Sequence, residues 1–224
     1  MKRSSLGRLF YTTAVLFLIL FAIFTYLVMT YDVTDSGFEG TRLGFSAINL
    51  RFHRAFGYSE KSFTVTEYLG YICVAAAAAN ALIAFLDLIR AKWRISHMHR
   101  RYVITMVFYA VVVAIYVLFL FVKINYRPNE MEASYPSSHT MLGICVMASE
   151  IAILHYSARR LHFWVIIFQI ISFVAMVCMV VFRLLSGVHW LTDIIGSGLL
   201  SCSLVSAYLG TLVLYGRHAH HHHR

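Results

Sequence analysis

Six apolar stretches of about twenty residues each constrain this chain more than any other feature. The hydrocarbon core of a bilayer is about 30 Å thick, and an α-helix needs about 20 apolar residues to cross it. Of the 224 residues, 60% are hydrophobic and only 13% are charged. The sequence therefore predicts an all-α, polytopic membrane protein with six transmembrane helices in a bundle, over residues 9–31, 68–86, 102–122, 140–158, 161–182 and 194–216.

The spans are predicted to form one domain over residues 1–217, followed by a His-rich tail at residues 218–224. We interpret the tail as an expression remnant, with a native metal-binding tail as the alternative. The first stretch is too long for a signal peptide, and no small-residue cleavage site follows it. All four cysteines lie within predicted spans, so no disulfide framework is expected. They are Cys73, Cys145, Cys178 and Cys202.

The positive charges predict the orientation of the chain. If the N-terminus is cytoplasmic, the cytoplasmic segments hold 12 of the 19 Lys and Arg residues, which favours both termini inside. The densest basic block, residues 90–101, would lie against anionic lipids of the inner leaflet. The net charge of +9 is then explained by membrane lipids as partners, and no nucleic acid is expected.

Six polar residues are predicted at the outer ends of the spans, where the charge rule accounts for none of them. Lysine and arginine side chains near a membrane surface often extend to the polar interface, which could explain each basic residue alone. Their convergence with two histidines and an aspartate indicates instead a site that acts on an anion. The six are Lys123, Arg127, His139, Arg183, His189 and Asp193.

His189 and Asp193 are four residues apart at the start of the sixth span, so one helical face should hold both. The aspartate can then fix the imidazole in one tautomer and leave the other ring nitrogen free to attack. Ser186 and Gly187 supply a bend before them. Arg183, at the end of the fifth span, can fold over the same pocket and offer its planar fork to phosphate oxygens.

The segment from Pro136 to His139 just precedes the fourth span. Proline and serine are typical of a helix start, and the free N–H groups there bind anions. His139 could donate a proton to a departing oxygen. Further along the same helix, Glu150 should lie about 15 Å below His139, and we interpret it as a hydrogen-bonded structural carboxyl. Residues 32–67 are long enough to form a short interfacial helix over the site.

Three blocks resemble the signatures of the type 2 phosphatidic acid phosphatase superfamily, which includes bacterial undecaprenyl-diphosphate phosphatases and vanadium haloperoxidases. They are Lys123-Ile-Asn-Tyr-Arg127-Pro128, Tyr135-Pro-Ser-Ser-His139 and Arg183-x5-His189-x3-Asp193. The resemblance implies a phosphatase without metal or other cofactor. In it His189 attacks phosphorus, Asp193 orients that ring and His139 protonates the leaving group. The phosphate would be bound by Lys123, Arg127, Ser137, Ser138 and Arg183.

The chain departs from the family pattern at three positions. Three residues separate Lys123 from Arg127 where the family has six, Ser138 replaces a glycine, and Phe182 replaces a serine. The short spacing makes Lys123 the least secure phosphate ligand of the set. The other two changes remove a close backbone approach and one hydroxyl donor.

The expected function is hydrolysis of a lipid phosphate at the extracytoplasmic face of a bacterial plasma membrane. Undecaprenyl diphosphate is the first substrate considered, followed by phosphatidic acid and phosphatidylglycerol phosphate. A lipid phosphotransferase and a vanadate-dependent haloperoxidase are the alternatives within the enzyme class. A transporter or lipid-binding protein that captures anions at the same basic mouth is the alternative outside it, although transport requires no histidine held by an aspartate.

Overall fold

Seven α-helices account for most of residues 3–157 and 163–216, the parts of the chain that the computed structural model describes. The helices are α1 (Arg3–Thr30), α2 (Ser46–Phe56), α3 (Glu60–Arg90), α4 (Arg100–Phe121), α5 (Ser138–Ser157), α6 (Phe163–Leu185) and α7 (Leu191–Tyr215).

All of these helices except α2 are long and apolar enough to cross a membrane, so the prediction of a six-helix membrane protein is confirmed. The largest difference in bounds is at α3, which begins at Glu60 and ends at Arg90 instead of covering residues 68–86. Its polar first turns are helical because Ser59 caps them, accepting a hydrogen bond from the Ser62 N–H at 3.3 Å. The predicted span ends at residues 158 and 161 and the tail lie outside the described residues, as do the basic positions 2, 159, 160, 217 and 224.

The helices α5 and α7 form the centre of the bundle and are its most buried spans. The helix α1 packs along α7, while α5 contacts α3, α6 and α7. Small residues on α7 permit this close packing. In lipid no hydrophobic force drives helices together, so their association depends on close van der Waals contact. Ser197 and Ser201 are fully buried, and Ser203 donates a hydrogen bond to the Ala14 carbonyl of α1 at 2.8 Å.

A polar cluster ties α3, α4 and α5 together within the membrane. The Glu150 carboxylate accepts hydrogen bonds from the Asn80 amide and from the Tyr109 hydroxyl, the latter at 3.5 Å. The Tyr109 hydroxyl also lies 2.9 Å from the Ser149 hydroxyl. Hydrogen bonds of this kind link helices in lipid, so Glu150 has the surroundings that a structural carboxyl requires.

The short helix α2 lies in the segment where an interfacial helix was predicted. Asp32 caps it by accepting from the Ala47 N–H at 2.8 Å. The buried Asn49 side chain donates to the Thr192 hydroxyl at 3.0 Å and accepts from the Thr192 N–H at 3.2 Å. These bonds fasten α2 to the first turn of α7, at the end of the bundle that holds the predicted site.

Candidate active site

The starts of α3, α5 and α7 meet the ends of α4 and α6 at one end of the bundle. A cavity of about 360 Å³ opens there. Five of the eight predicted site residues line it, namely Lys123, Arg127, Ser138, His139 and His189. The fold thus brings together blocks that are separated by more than forty residues in the chain.

His189 lies in the turn before α7, not on the helix as predicted, because α7 begins at Leu191. Gly187 makes this turn with a φ of +70°, and a Cβ added to it would lie 2.1 Å from the Gly57 carbonyl oxygen. Only glycine fits there. The His189 Nδ1 is nevertheless 3.5 Å from Asp193 Oδ2, so the imidazole and the carboxylate face each other.

Two neighbours fix the tautomer of His189. On one side, Arg183 Nη2 lies 3.3 Å from His189 Nε2, and a guanidinium can only donate, so Nε2 is the acceptor. On the other side, the Ser134 hydroxyl donates to Asp193 Oδ2 and lies 3.1 Å from His189 Nδ1. Because that hydroxyl proton is already directed to the carboxylate, Nδ1 carries the ring proton and donates to Ser134. The lone pair is therefore on Nε2.

Asp193 is completely buried in the first turn of α7 and is held by three donors, one from the residue before α7 and two from the loop between α4 and α5. The Trp190 N–H donates to Oδ2 at 2.9 Å, and the Asn125 side chain donates to Oδ1 at 3.4 Å. With the Ser134 hydroxyl, these bonds give both carboxylate oxygens a donor and fix the orientation of the side chain. Sequence reasoning missed Ser134 and Asn125, since no periodicity marks a single polar residue in a loop. The spacing of Trp190 and Asp193, typical of a helix cap, could have been recognised.

Burial lowers the pKa of His189 below its ordinary value. The hydrogen bond to Asp193 acts in the opposite direction, and the positive charge of Arg183 adds to the lowering. The ring is thus neutral at neutral pH, which agrees with a lone pair on Nε2.

Arg183 is in the last turn of α6, as predicted, but it is only 1% exposed and does not line the cavity. Instead of folding over the pocket it lies beside His189. Its Nη1 donates to the Thr66 hydroxyl at 3.0 Å and lies 3.4 Å from Glu67 Oε1. Its Nε is buried without a partner in the parts of the chain that are described. Donor capacity is therefore left for an incoming anion.

His139 lies in the first turn of α5, not before it, because the helix begins at Ser138. Its Nε2 is 3.2 Å from Glu67 Oε1. Ser138 lines the cavity, whereas Ser137 is fully buried and does not. The backbone of Ser137 instead joins α5 to α7, since its N–H donates to the Asp193 carbonyl at 3.2 Å. Ser137 is thus not among the residues that line the cavity, and its role in phosphate binding stays a prediction.

Arg127 and Lys123 lie on the loop between α4 and α5, at the rim of the cavity. Arg127 Nη1 pairs with Glu130 at 3.0 Å and with Glu132 at 3.1 Å. Lys123 Nζ lies 5.5 Å from the centre of the Tyr126 ring. Because α4 ends at Phe121, no helical spacing is imposed on the two basic residues. The short interval between them therefore does not keep Lys123 from the cavity.

An apolar groove of about 620 Å³ adjoins this cavity and shares Tyr116 and His139 with it. Its walls are α3, α4 and α5, and on α3 they extend from Glu67 to Ala81, a distance of about 21 Å. Tyr71 and Val74 on the groove are more than 60% exposed, so the groove faces the lipid. The run of alanines on α3 contributes Ala77 and Ala78 to this wall.

The fold and the site together define a class of protein: a multi-pass membrane protein with two histidines, a buried aspartate and arginines gathered at one membrane face. Within residues 3–157 and 163–216, no group of three or more His, Cys, Asp or Glu side chains is arranged to hold a metal ion.

Residues 120–218 match the PAP2 superfamily, and this segment contains all eight predicted site residues. The matched segment carries the three signature blocks whose resemblance to this superfamily is described above. A similar fold is found in the crystal structure of the first transmembrane PAP2 type phosphatidylglycerolphosphate phosphatase from Bacillus subtilis. The two are 18% identical with a TM-score of 0.58, over 89% of this chain and 94% of that one. No curated protein sequence matches the chain.

Proposed function

We propose that this protein hydrolyses a lipid phosphate or diphosphate at the extracytoplasmic face of a bacterial plasma membrane, through a phosphohistidine intermediate. The arrangement of His189 carries the proposal. Its Nε2 holds a lone pair next to the Arg183 guanidinium, its Nδ1 is tied through Ser134 to Asp193, and its ring lines the cavity. The match of residues 120–218 to the PAP2 superfamily supports phosphatase activity.

The reaction has two displacements at phosphorus. In the first, His189 Nε2 forms a bond to phosphorus, the bond to the leaving oxygen breaks, and that oxygen takes its electron pair and a proton from His139. Asp193 stabilises the positive charge on the phosphorylated ring. In the second, His139 accepts a proton from water, the water oxygen bonds to phosphorus, and the P–N electrons return to His189. Arg183 and Arg127 donate to the phosphoryl oxygens as charge develops.

A lipid substrate is supported by the groove between α3, α4 and α5. A phosphate at His139 would place an attached chain at the upper end of this groove, which faces the bilayer. The groove is apolar and does not distinguish headgroups, so the order of candidates rests on family resemblance: undecaprenyl diphosphate first, then phosphatidic acid and phosphatidylglycerol phosphate.

Phosphate release from these three lipids by the purified protein in detergent tests the proposal. We expect free phosphate from at least one of them, at a rate far above that of a soluble phosphate ester, because the groove adds binding energy. A product in which the phosphoryl group has moved to another lipid, without free phosphate, would indicate a phosphotransferase. Binding of all three lipids without turnover would indicate a lipid-binding protein or transporter.

The same assay tests whether a metal is needed. Arginine and lysine side chains can supply the positive charge that a divalent metal otherwise would. Activity should therefore survive EDTA, and vanadate should inhibit because it resembles five-coordinate phosphorus. Complete loss with EDTA and recovery with added magnesium would contradict this mechanism.

The membrane face can be tested with single cysteines at exposed positions. Asn129 lies on the loop that carries Arg127, and Ser96 lies on the loop between α3 and α4. In intact cells, Asn129→Cys should react with a membrane-impermeant thiol reagent, whereas Ser96→Cys should react only after lysis. The parent protein, with its four cysteines in the spans, gives the background. The reverse pattern would place the site in the cytoplasm.

A further inference from the structure

Glu67 occupies a central position in the site although neither the signature blocks nor the family match includes it. One of its oxygens, Oε1, lies 3.2 Å from His139 Nε2 and 3.4 Å from Arg183 Nη1. Glu67 belongs to α3, whereas the segment that matches the superfamily begins at residue 120. The helix α3, which lies outside the matched segment, therefore contributes a carboxylate to the site.

The neighbours of Glu67 on α3 hold this wall firmly against the catalytic groups. Thr66 is fully buried, accepts from Arg183 Nη1 at 3.0 Å and donates to the Phe63 carbonyl at 2.7 Å. One turn further on, Gly70 lies beside the same imidazole, since a Cβ at this position would be in ordinary van der Waals contact with His139 Cδ2, at 3.4 Å. The position of Glu67 is thus set by packing on both sides of it.

The charged groups around His139 indicate the role of the Glu67 carboxylate. Arg127 and His189 line the same cavity as this ring, and Arg183 lies 3.4 Å from the Glu67 oxygen that contacts His139, so two arginines lie around it. A leaving-group acid must nevertheless be protonated when the P–O bond breaks. In the described parts of the chain, Glu67 is the carboxylate in contact with His139, in the way that Asp193 is for His189.

We propose that Glu67 is a positioning residue that holds His139 in place and stabilises its protonated form for transfer of a proton to the leaving oxygen. This rests on the proposed function. The substrate phosphate takes Arg183 away from Glu67, and the carboxylate keeps His139 as its partner. With Nε2 held by Glu67, the proton moves from His139 Nδ1, which has no partner in the described parts of the chain, to the leaving oxygen, and a proton from the water of the second step replaces it.

The test compares leaving groups in single-turnover experiments. With a lipid phosphate, whose alkoxide needs a proton, Glu67→Gln should slow release of the leaving group by about 10- to 100-fold. The substrate concentration that gives half of the maximal rate should change little. With p-nitrophenyl phosphate, whose phenolate leaves unprotonated, the rate should fall less than about threefold. Glu67→Asp should recover part of the lost rate. Glu60→Gln is the matched control, because Glu60 is an exposed carboxylate in the first turn of α3.

Three results would overturn the inference. The first is an equal loss of rate with the lipid phosphate and with p-nitrophenyl phosphate. The second is a rate equal to that of Glu60→Gln with both substrates. The third is tighter phosphate binding at an unchanged rate, which would make Glu67 a competitor of the substrate. Adding Glu67→Gln to His139→Ala should cost nothing more if the carboxylate acts through the ring. If Glu67→Gln folds poorly, Glu67→Asp, which keeps the carboxylate, takes its place in both comparisons. Failure of the proposed function would appear differently, as an unmodified protein that releases no phosphate from any lipid.

Discussion

His189→Ala is expected to reduce turnover of lipid phosphates by at least roughly 10³-fold, as removal of a catalytic nucleophile generally does. The group in contact with Nε2, the Arg183 guanidinium at 3.3 Å, is a donor without a lone pair and cannot replace the imidazole. The variant should also fail to form a covalent intermediate. With a radiolabelled lipid phosphate and an acid-free quench, unmodified protein should retain label that is stable in alkali and labile in acid, and His189→Ala should retain none.

His97→Ala is the control for this substitution. His97 is an exposed histidine on the loop after α3, at the far end of a helix that extends about 35 Å from Glu67 to Arg90. It should keep full activity and label. Both variants should elute as folded protein with similar melting temperatures. Label retained in His189→Ala, or a stability typical of a serine phosphate, would leave direct attack by water as the better mechanism.

His139→Ala should separate the two displacements. With lipid phosphates, its turnover should fall by about 10²- to 10⁴-fold, the usual contribution of a general acid. With a good leaving group the first step needs no proton, so the variant should still form the phosphohistidine. The second step would then lack the base that activates water. Labelled protein should therefore accumulate in His139→Ala to a level above that in the unmodified protein.

The double variant His139→Ala/His189→Ala provides the control, because label in it cannot come from the proposed nucleophile. Absence of accumulation in His139→Ala, with a normal burst of leaving-group release, would assign water activation to another group. Equal loss of burst rate with good and poor leaving groups would mean that His139 binds phosphate and does not transfer protons.

The helix that carries Asp193 does not include His189. The spacing of His189 and Asp193 predicts two side chains on one helical face, yet the helix begins two residues after His189. The two side chains still face each other, because the turn at Gly187 brings the ring back over the first turn of α7. The spacing predicts that these two side chains lie together, and they do, although a turn and not a helix places the ring of His189.

Other site residues could not be predicted from the sequence. Ser134 and Asn125 are ordinary polar residues on a loop, and their role depends on α7 placing Asp193 against that loop. Glu67 immediately precedes a predicted span, so the sequence assigns it to the segment of residues 32–67 outside the spans. Its contact with His139 exists only because α3 begins seven residues earlier and packs across α5.

The sequence by itself determined the six spans, since a helix must bury about 20 apolar residues to cross a bilayer. It also determined which blocks carry the chemistry, because charged groups at the ends of apolar spans are costly unless they are used. Only the tertiary structure decided the protonation state of His189, the burial of Ser137 and Arg183, and the place of Glu67 in the site. These properties depend on distances between segments far apart in the chain, which packing sets and local patterns do not encode.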